Sequence, residues 1–125
     1  MAKSIKTELA APDPEKMQVS TQADFAERGW LYLSHKNYDR SVADFRQVVA
    51  TDPGDMDSWY GLGLALKASG SKEQALEAFE RVLALISKVE DHQRASVLSR
   101  LAKGHINQIK TGDWNLAKEV WKTVY

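Results

Sequence analysis

The side chains best suited to proton transfer or metal ligation in this chain are three histidines, His35, His92 and His105. They are far apart in sequence and share no metal-ligand spacing. His105 falls on the apolar stripe of a helical pattern, which marks a hydrogen-bonded core histidine rather than a ligand or a base. Gly61-x-Gly63 lies inside another helical pattern and follows no strand, so it is not a phosphate loop. Glu73, Glu77 and Glu80 share one helix face, as solvated carboxylates do. There is no Gly-x-Ser-x-Gly elbow and no cysteine, which removes thiol nucleophiles, thiolate metal sites and disulfides together. The expectation is a protein with no catalytic residue, no metal and no cofactor. What remains to do chemistry is binding, by Trp30 and Tyr60 and the lysines near them.

Such side chains act only where rigid elements hold them, and the elements follow from a repeat. Shifted by 34 residues, the chain falls on itself: Phe25 on Trp59, Gly29 on Gly63, Phe45 on Phe79, Val48 on Val82. A period of that length means stacked copies of one supersecondary unit, none able to bury its apolar face alone. Each unit reads as two antiparallel helices. Ser20 or Thr21 caps the first helix, with Phe25, Gly29, Tyr32 and Leu33 apolar, and Asn37 caps its partner. Asp52-Pro53-Gly54 ends that helix and Asp55 opens the third. Gly70 breaks the third helix, and Ser71-Lys72-Glu73-Gln74 forms a capping box for the fourth.

The third unit arrives late. Gly70 maps to Gly112 and Ala75 to Ala117, both 42 residues on, so about eight residues are inserted, Glu90 to Val97. Ser87-Lys88-Val89-Glu90 is a further capping box, which favours an elongated fifth helix from about Asp91 to Lys110. A sixth helix would run from Trp114 to Tyr125. Residues 1–20 read as a flexible tail, since Ala10-Ala11-Pro12-Asp13-Pro14 blocks a continuous helix. The domain then spans residues 21–125, with units at about 22–55, 56–89 and 90–125.

Composition agrees with a folded chain of one domain: 125 residues, 43% hydrophobic and 27% charged. Lys plus Arg and Asp plus Glu balance at 17 each, so no field favours nucleic acid or an anionic membrane. The N-terminus carries no apolar run of signal-peptide length and no segment is apolar enough to span a bilayer, which points to the cytoplasm.

Trp59-x2-Leu62-Gly63-x2-Leu66 followed by Ala75-x3-Phe79 resembles the tetratricopeptide repeat. The first unit fits through Phe25, Gly29, Tyr32, Tyr38, Phe45 and Asp52-Pro53, with Ser41 at the usual alanine. The third fits in its second helix through Gly112-Asp113-Trp114, Ala117, Trp121 and Val124. Its first helix departs, with His105 where a small residue is expected. The resemblance covers residues 22–125 and implies an all-α fold, an α-solenoid of three antiparallel helix pairs in a right-handed superhelix. It also implies a concave side lined by the first helix of each unit.

On that side the resemblance puts Trp30 and Leu33 from unit one, Tyr60, Leu64 and Lys67 from unit two, and Lys103, Ile106, Ile109 and Lys110 from unit three. Trp30 and Tyr60 sit beside the packing residues Gly29 and Trp59, so they face away from the core of their unit, and an exposed aromatic marks contact. The expected function is a scaffold or adaptor that takes an apolar peptide or amphipathic helix of another protein in this groove. Positions that grip a terminal carboxylate in one subclass hold Ala26, Trp30, Gly61, Ser99 and Lys103 here, which argues against that mode. The alternative is a self-assembling subunit, because the chain stops without a capping helix. Trp114, Leu116, Val120, Trp121, Val124 and Tyr125 would then form a C-terminal interface joining a homo-oligomer.

Overall fold

The computed structural model describes residues 12–90 and 92–118, and over them the chain is all-helical. Five α-helices follow in order: α1 (Gln22–Ser34), α2 (Tyr38–Thr51), α3 (Met56–Ala68), α4 (Lys72–Ile86) and α5 (His92–Thr111). Short 3-10 turns lie at Pro14–Lys16 and Leu116–Lys118. Consecutive helices pack on each other, α1 on α2, α2 on α3, α3 on α4 and α4 on α5, as a linear helical repeat requires.

Most helix starts follow the capping chemistry of the sequence. Thr21 and Asp24 form a reciprocal box: Asp24 N–H donates to Thr21 Oγ1 at 3.1 Å, and Thr21 N–H donates back to the carboxylate at 3.1 Å. Backbone donation from Ser20 and Thr21 holds the Asp24 carboxyl below its ordinary range. Asn37 accepts from Arg40 N–H at 3.4 Å and Asp55 from Ser58 N–H at 3.2 Å. Two expected boxes do not form. Ser71 precedes α4 but makes no side-chain cap bond, and Gln74, which would complete the box, accepts from Arg46 instead. Ser87 donates to the Ala84 carbonyl at 2.8 Å and so closes α4 rather than opening α5.

The core is built by glycine opposite phenylalanine. Phe45 and Phe79 are fully buried, each contributing about 1.5–3 kcal/mol. A Cβ at Gly61 would lie 2.5 Å from Phe45 Cζ, and one at Gly63 would lie 2.7 Å from Phe79 Cε1. Helix α3 can therefore approach both rings only because those two positions carry no side chain. Ser41, standing at an alanine position, is fully buried and donates to the Gly29 carbonyl at 2.8 Å, so its hydroxyl carries no desolvation penalty. Asp44 on α2 is 4% exposed and takes both arms of Arg28 from α1, at 2.8 Å each.

Of the residues read as a tail, 1–11 lie outside the described residues; over 12–20, Pro14 is buried and Glu15 pairs with Arg40 at 3.1 Å. Asp13 accepts from Glu15 N–H at 3.0 Å and so shapes the turn. The expected sixth helix does not begin at Trp114, which lies in an irregular stretch before the 3-10 turn, and residues 119–125 lie outside the described residues. Residues 92–97 of the inserted stretch form the start of α5, which at 20 residues is roughly 30 Å long.

Candidate binding groove

Trp30 and Tyr60 are positioned alike. Trp30 stands edge-on to Phe45 at 5.0 Å, and Tyr60 edge-on to Phe79 at 5.8 Å. Each aromatic from a first helix thus rests on the buried ring of its unit's second helix, and Trp30 still leaves 37% of its surface exposed. Part of Trp30 therefore packs on the core, contrary to the expectation that it faces away from it. Leu33 and Leu64 are half-buried on the same two helices.

From α5, Ile106 is not a groove residue: it is 0% exposed, inside the cluster that holds Phe79 and Val82. Ile109 is half-buried and packs against that cluster. The positive charge of Lys110 acts on Glu80, whose carboxyl is pushed up mainly by burial. Lys103 is half-buried.

A polar seam joins α3 to α5. The Tyr60 hydroxyl lies 3.1 Å from His105 Nε2, and Lys67 Nζ lies 2.9 Å from His105 Nδ1. Lys67 also donates to Gln108 Oε1, and Arg94 pairs with Asp57 at the other end of the seam. His105 stacks on Phe79 at 4.8 Å and 6°, and meets the edge of Trp114 at 4.8 Å. Burial, then the charge of Lys67, lowers the His105 pKa to about 4. Burial also lowers the Lys67 ammonium and raises the Tyr60 hydroxyl.

Sequence reading missed this seam because it placed the third unit's small residue at His105. The structure puts that role at Gly104, where a Cβ would lie 2.0 Å from Trp114 Cε2. His105 is then free to turn toward α3. The repeat carried no signal for it: glycine and its phenylalanine stand 16 residues apart in the first two units, Gly29 with Phe45 and Gly63 with Phe79, whereas Gly104 and Trp114 stand 10 apart.

At the C-terminal side Trp114 is 38% and Val97 58% exposed. With Ser96, Arg100, Leu101 and Leu116 they line a hollow of about 230 Å³. Val120, Trp121, Val124 and Tyr125 lie outside the described residues. A cleft of about 470 Å³, which the sequence did not suggest, opens among α2, α3 and α4, with Arg46, Trp59, Gln74 and Glu77 on its walls. Among the described residues no three His, Cys, Asp or Glu side chains gather as metal ligands would. No helix of these residues is long and apolar enough to cross a membrane.

Repeated helix pairs, with glycine against phenylalanine in the first two units and an aromatic and polar seam between α3 and α5, define a helical-repeat protein of the interaction class. The chain belongs to the tetratricopeptide repeat family, whose model matches residues 27–89. It is 37% identical over 59 residues to the small glutamine-rich tetratricopeptide repeat-containing protein 2 of Saccharomyces cerevisiae, covering 47% of this chain and 17% of that protein. It is 29% identical over 85 residues to the superkiller protein 3 of the same yeast, covering 67% of this chain and 6% of that protein. It is 32% identical over 57 residues to the peroxisomal targeting signal receptor of Eremothecium gossypii, covering 46% of this chain and 10% of that protein. The chain thus spans less than a fifth of the length of each. No solved structure matches it.

Proposed function

We propose that this protein is a non-catalytic cytoplasmic adaptor that holds an apolar peptide or amphipathic helix of another protein against α1 and α3. The observation that carries this reading is Trp30, a large aromatic braced edge-on by Phe45 and still 37% exposed. A braced ring loses little conformational freedom on binding, which is the property of an anchor residue. Tyr60 and Leu64 extend the same surface, and Lys67 stands at its edge. A tetratricopeptide relative named as the receptor for a peroxisomal targeting signal supports a role in taking a segment of another chain. Replacing Trp30 with alanine should weaken binding of the native partner by ~2 kcal/mol, read by calorimetry, with the helical circular dichroism unchanged.

A second reading, self-association through the C-terminal side, has its own observation in the exposed Val97 and Trp114. Sedimentation over a concentration series should then show a dimer that Val97→Glu weakens. A monomer at every concentration ends that reading.

A further inference from the structure

His105 fixes the direction of every hydrogen bond around it. Lys67 is an ammonium and can only donate, so its 2.9 Å contact makes Nδ1 of His105 the acceptor. The imidazole proton must then sit on Nε2, and the 3.1 Å contact runs from Nε2–H to the Tyr60 oxygen. Phe79 stacked on the ring at 4.8 Å and Trp114 meeting its edge at 4.8 Å hold the imidazole in this orientation.

Two donor hydrogens are left over. Lys67 spends one N–H on His105 and one on Gln108 Oε1, which leaves a third. The Tyr60 oxygen accepts, which leaves its own O–H unspent. Both acceptors on Lys67 are neutral, and no carboxylate pairs with it among the described residues. A half-buried cation without a counter-charge is costly unless something supplies one. Its side chain is already fixed, so a carboxylate arriving there meets a donor whose ordering cost has been met on folding.

We propose that Lys67, aimed by neutral His105, is the docking point for an acidic side chain of the protein partner, while the Tyr60 hydroxyl donates to a second acceptor on the same segment. The two donors leave opposite edges of one imidazole, so they read two acceptors and not the two oxygens of one carboxylate. This rests on the groove reading above and adds the chemistry of its occupant: an apolar segment carrying Asp or Glu. Charge complementarity at Lys67 selects that occupant. Among the described residues, the charged or titratable groups in contact with His105 are Tyr60 and Lys67 from α3, while α4 contributes Phe79 and the segment after α5 contributes Trp114.

The test is NMR of the His105 ring with two blocked amino acids, N-acetyl-glutamate α-amide and its isostere N-acetyl-glutamine α-amide, at neutral pH and constant ionic strength. Without probe, the nitrogen shifts should show a bare Nδ1 and a protonated Nε2. The glutamate probe should move the His105 Hε1 signal saturably and raise the His105 pKa by about half a unit or more, because a carboxylate offsets the charge of Lys67. The glutamine probe should do neither, and Lys67→Met should abolish the response. Should Lys67→Met fail to fold, Lys67→Gln keeps a donor to Nδ1 without the charge and serves the same comparison. A proton found on Nδ1, equal responses to both probes, or a full response in the Lys67 variant would each overturn the proposal. No groove-bound partner enters this measurement, so its failure leaves the Trp30 anchor standing, and failure of the Trp30 test leaves this result readable.

Discussion

Lys36 holds a backbone φ of 62°, in the left-handed region where a side chain is disfavoured. Gly70, 34 residues on, holds φ 90° at the equivalent turn of the next unit, and there the residue type suits the conformation. Replacing Lys36 with glycine should therefore stabilise the protein by about 0.5–1 kcal/mol, the relief of strain exceeding the added freedom of the unfolded chain. Urea titration reads this directly, and a fall in the midpoint would contradict it. The role of Gly70 as a helix stop could be read from its type, but the same backbone at Lys36 could be read only by carrying the period onto it. Ser41 was visible as a departure from the alanine pattern, while the Gly29 carbonyl that satisfies it was not. The Arg28–Asp44 pair was invisible, since a buried aspartate inside an amphipathic helix looks like any solvent-facing one until its partner is placed.

Helices α1 to α4 were legible because the apolar stripe recurs at a fixed period, and the caps at Thr21, Asn37 and Asp55 and the stops at Asp52-Pro53-Gly54 and Gly70 agree with it. The start of the sixth helix was misplaced for a physical reason: Trp114 packs against Gly104 and does not open a helical turn in the expected place. Helix α5 also carries the seam to α3, and that seam makes the protein sensitive to acid. The His105 pKa falls from 6.5 to about 4 on folding, through burial first and the neighbouring Lys67 charge second. Above about 6.5 the imidazole is neutral in both folded and unfolded chains, so its contribution is fully present. Between about 6.5 and about 4 only the unfolded chain takes the proton, so stability drops as the pH falls through that window. Below about 4 both forms are protonated and the loss is complete. Asp24, lowered by its backbone donors, acts in the same sense but only from its ordinary 3.8 downward. Urea midpoints measured at about pH 7 and about pH 5 should therefore diverge in the native protein. They should come closer in His105→Gln, and an unchanged gap would put the effect elsewhere.

Across the whole molecule, the repeat explains why two surfaces compete to be the binding site. Stacking pairs of helices rests Trp30 of α1 on Phe45 and Tyr60 of α3 on Phe79, the aromatics of the proposed groove, and leaves a cleft among α2, α3 and α4, bearing Arg46 and Gln74. The sequence pointed to the first because its aromatics are not needed by the packing motif. It was silent on the cleft, whose walls are made of residues that the motif itself uses, such as Trp59, Leu62 and Leu66. The two differ in chemistry as well, since Arg46 is already bonded to Gln74 across the cleft, whereas Trp30 is braced but open. The most direct measurement is calorimetric titration of the native partner into three proteins: native, Trp30→Ala and Arg46→Ala. Trp30→Ala should bind more weakly by at least about tenfold, ~1.4 kcal/mol or more, while Arg46→Ala binds as the native protein does. Full affinity in Trp30→Ala, with the loss found in Arg46→Ala, would move the site to the cleft and contradict the account.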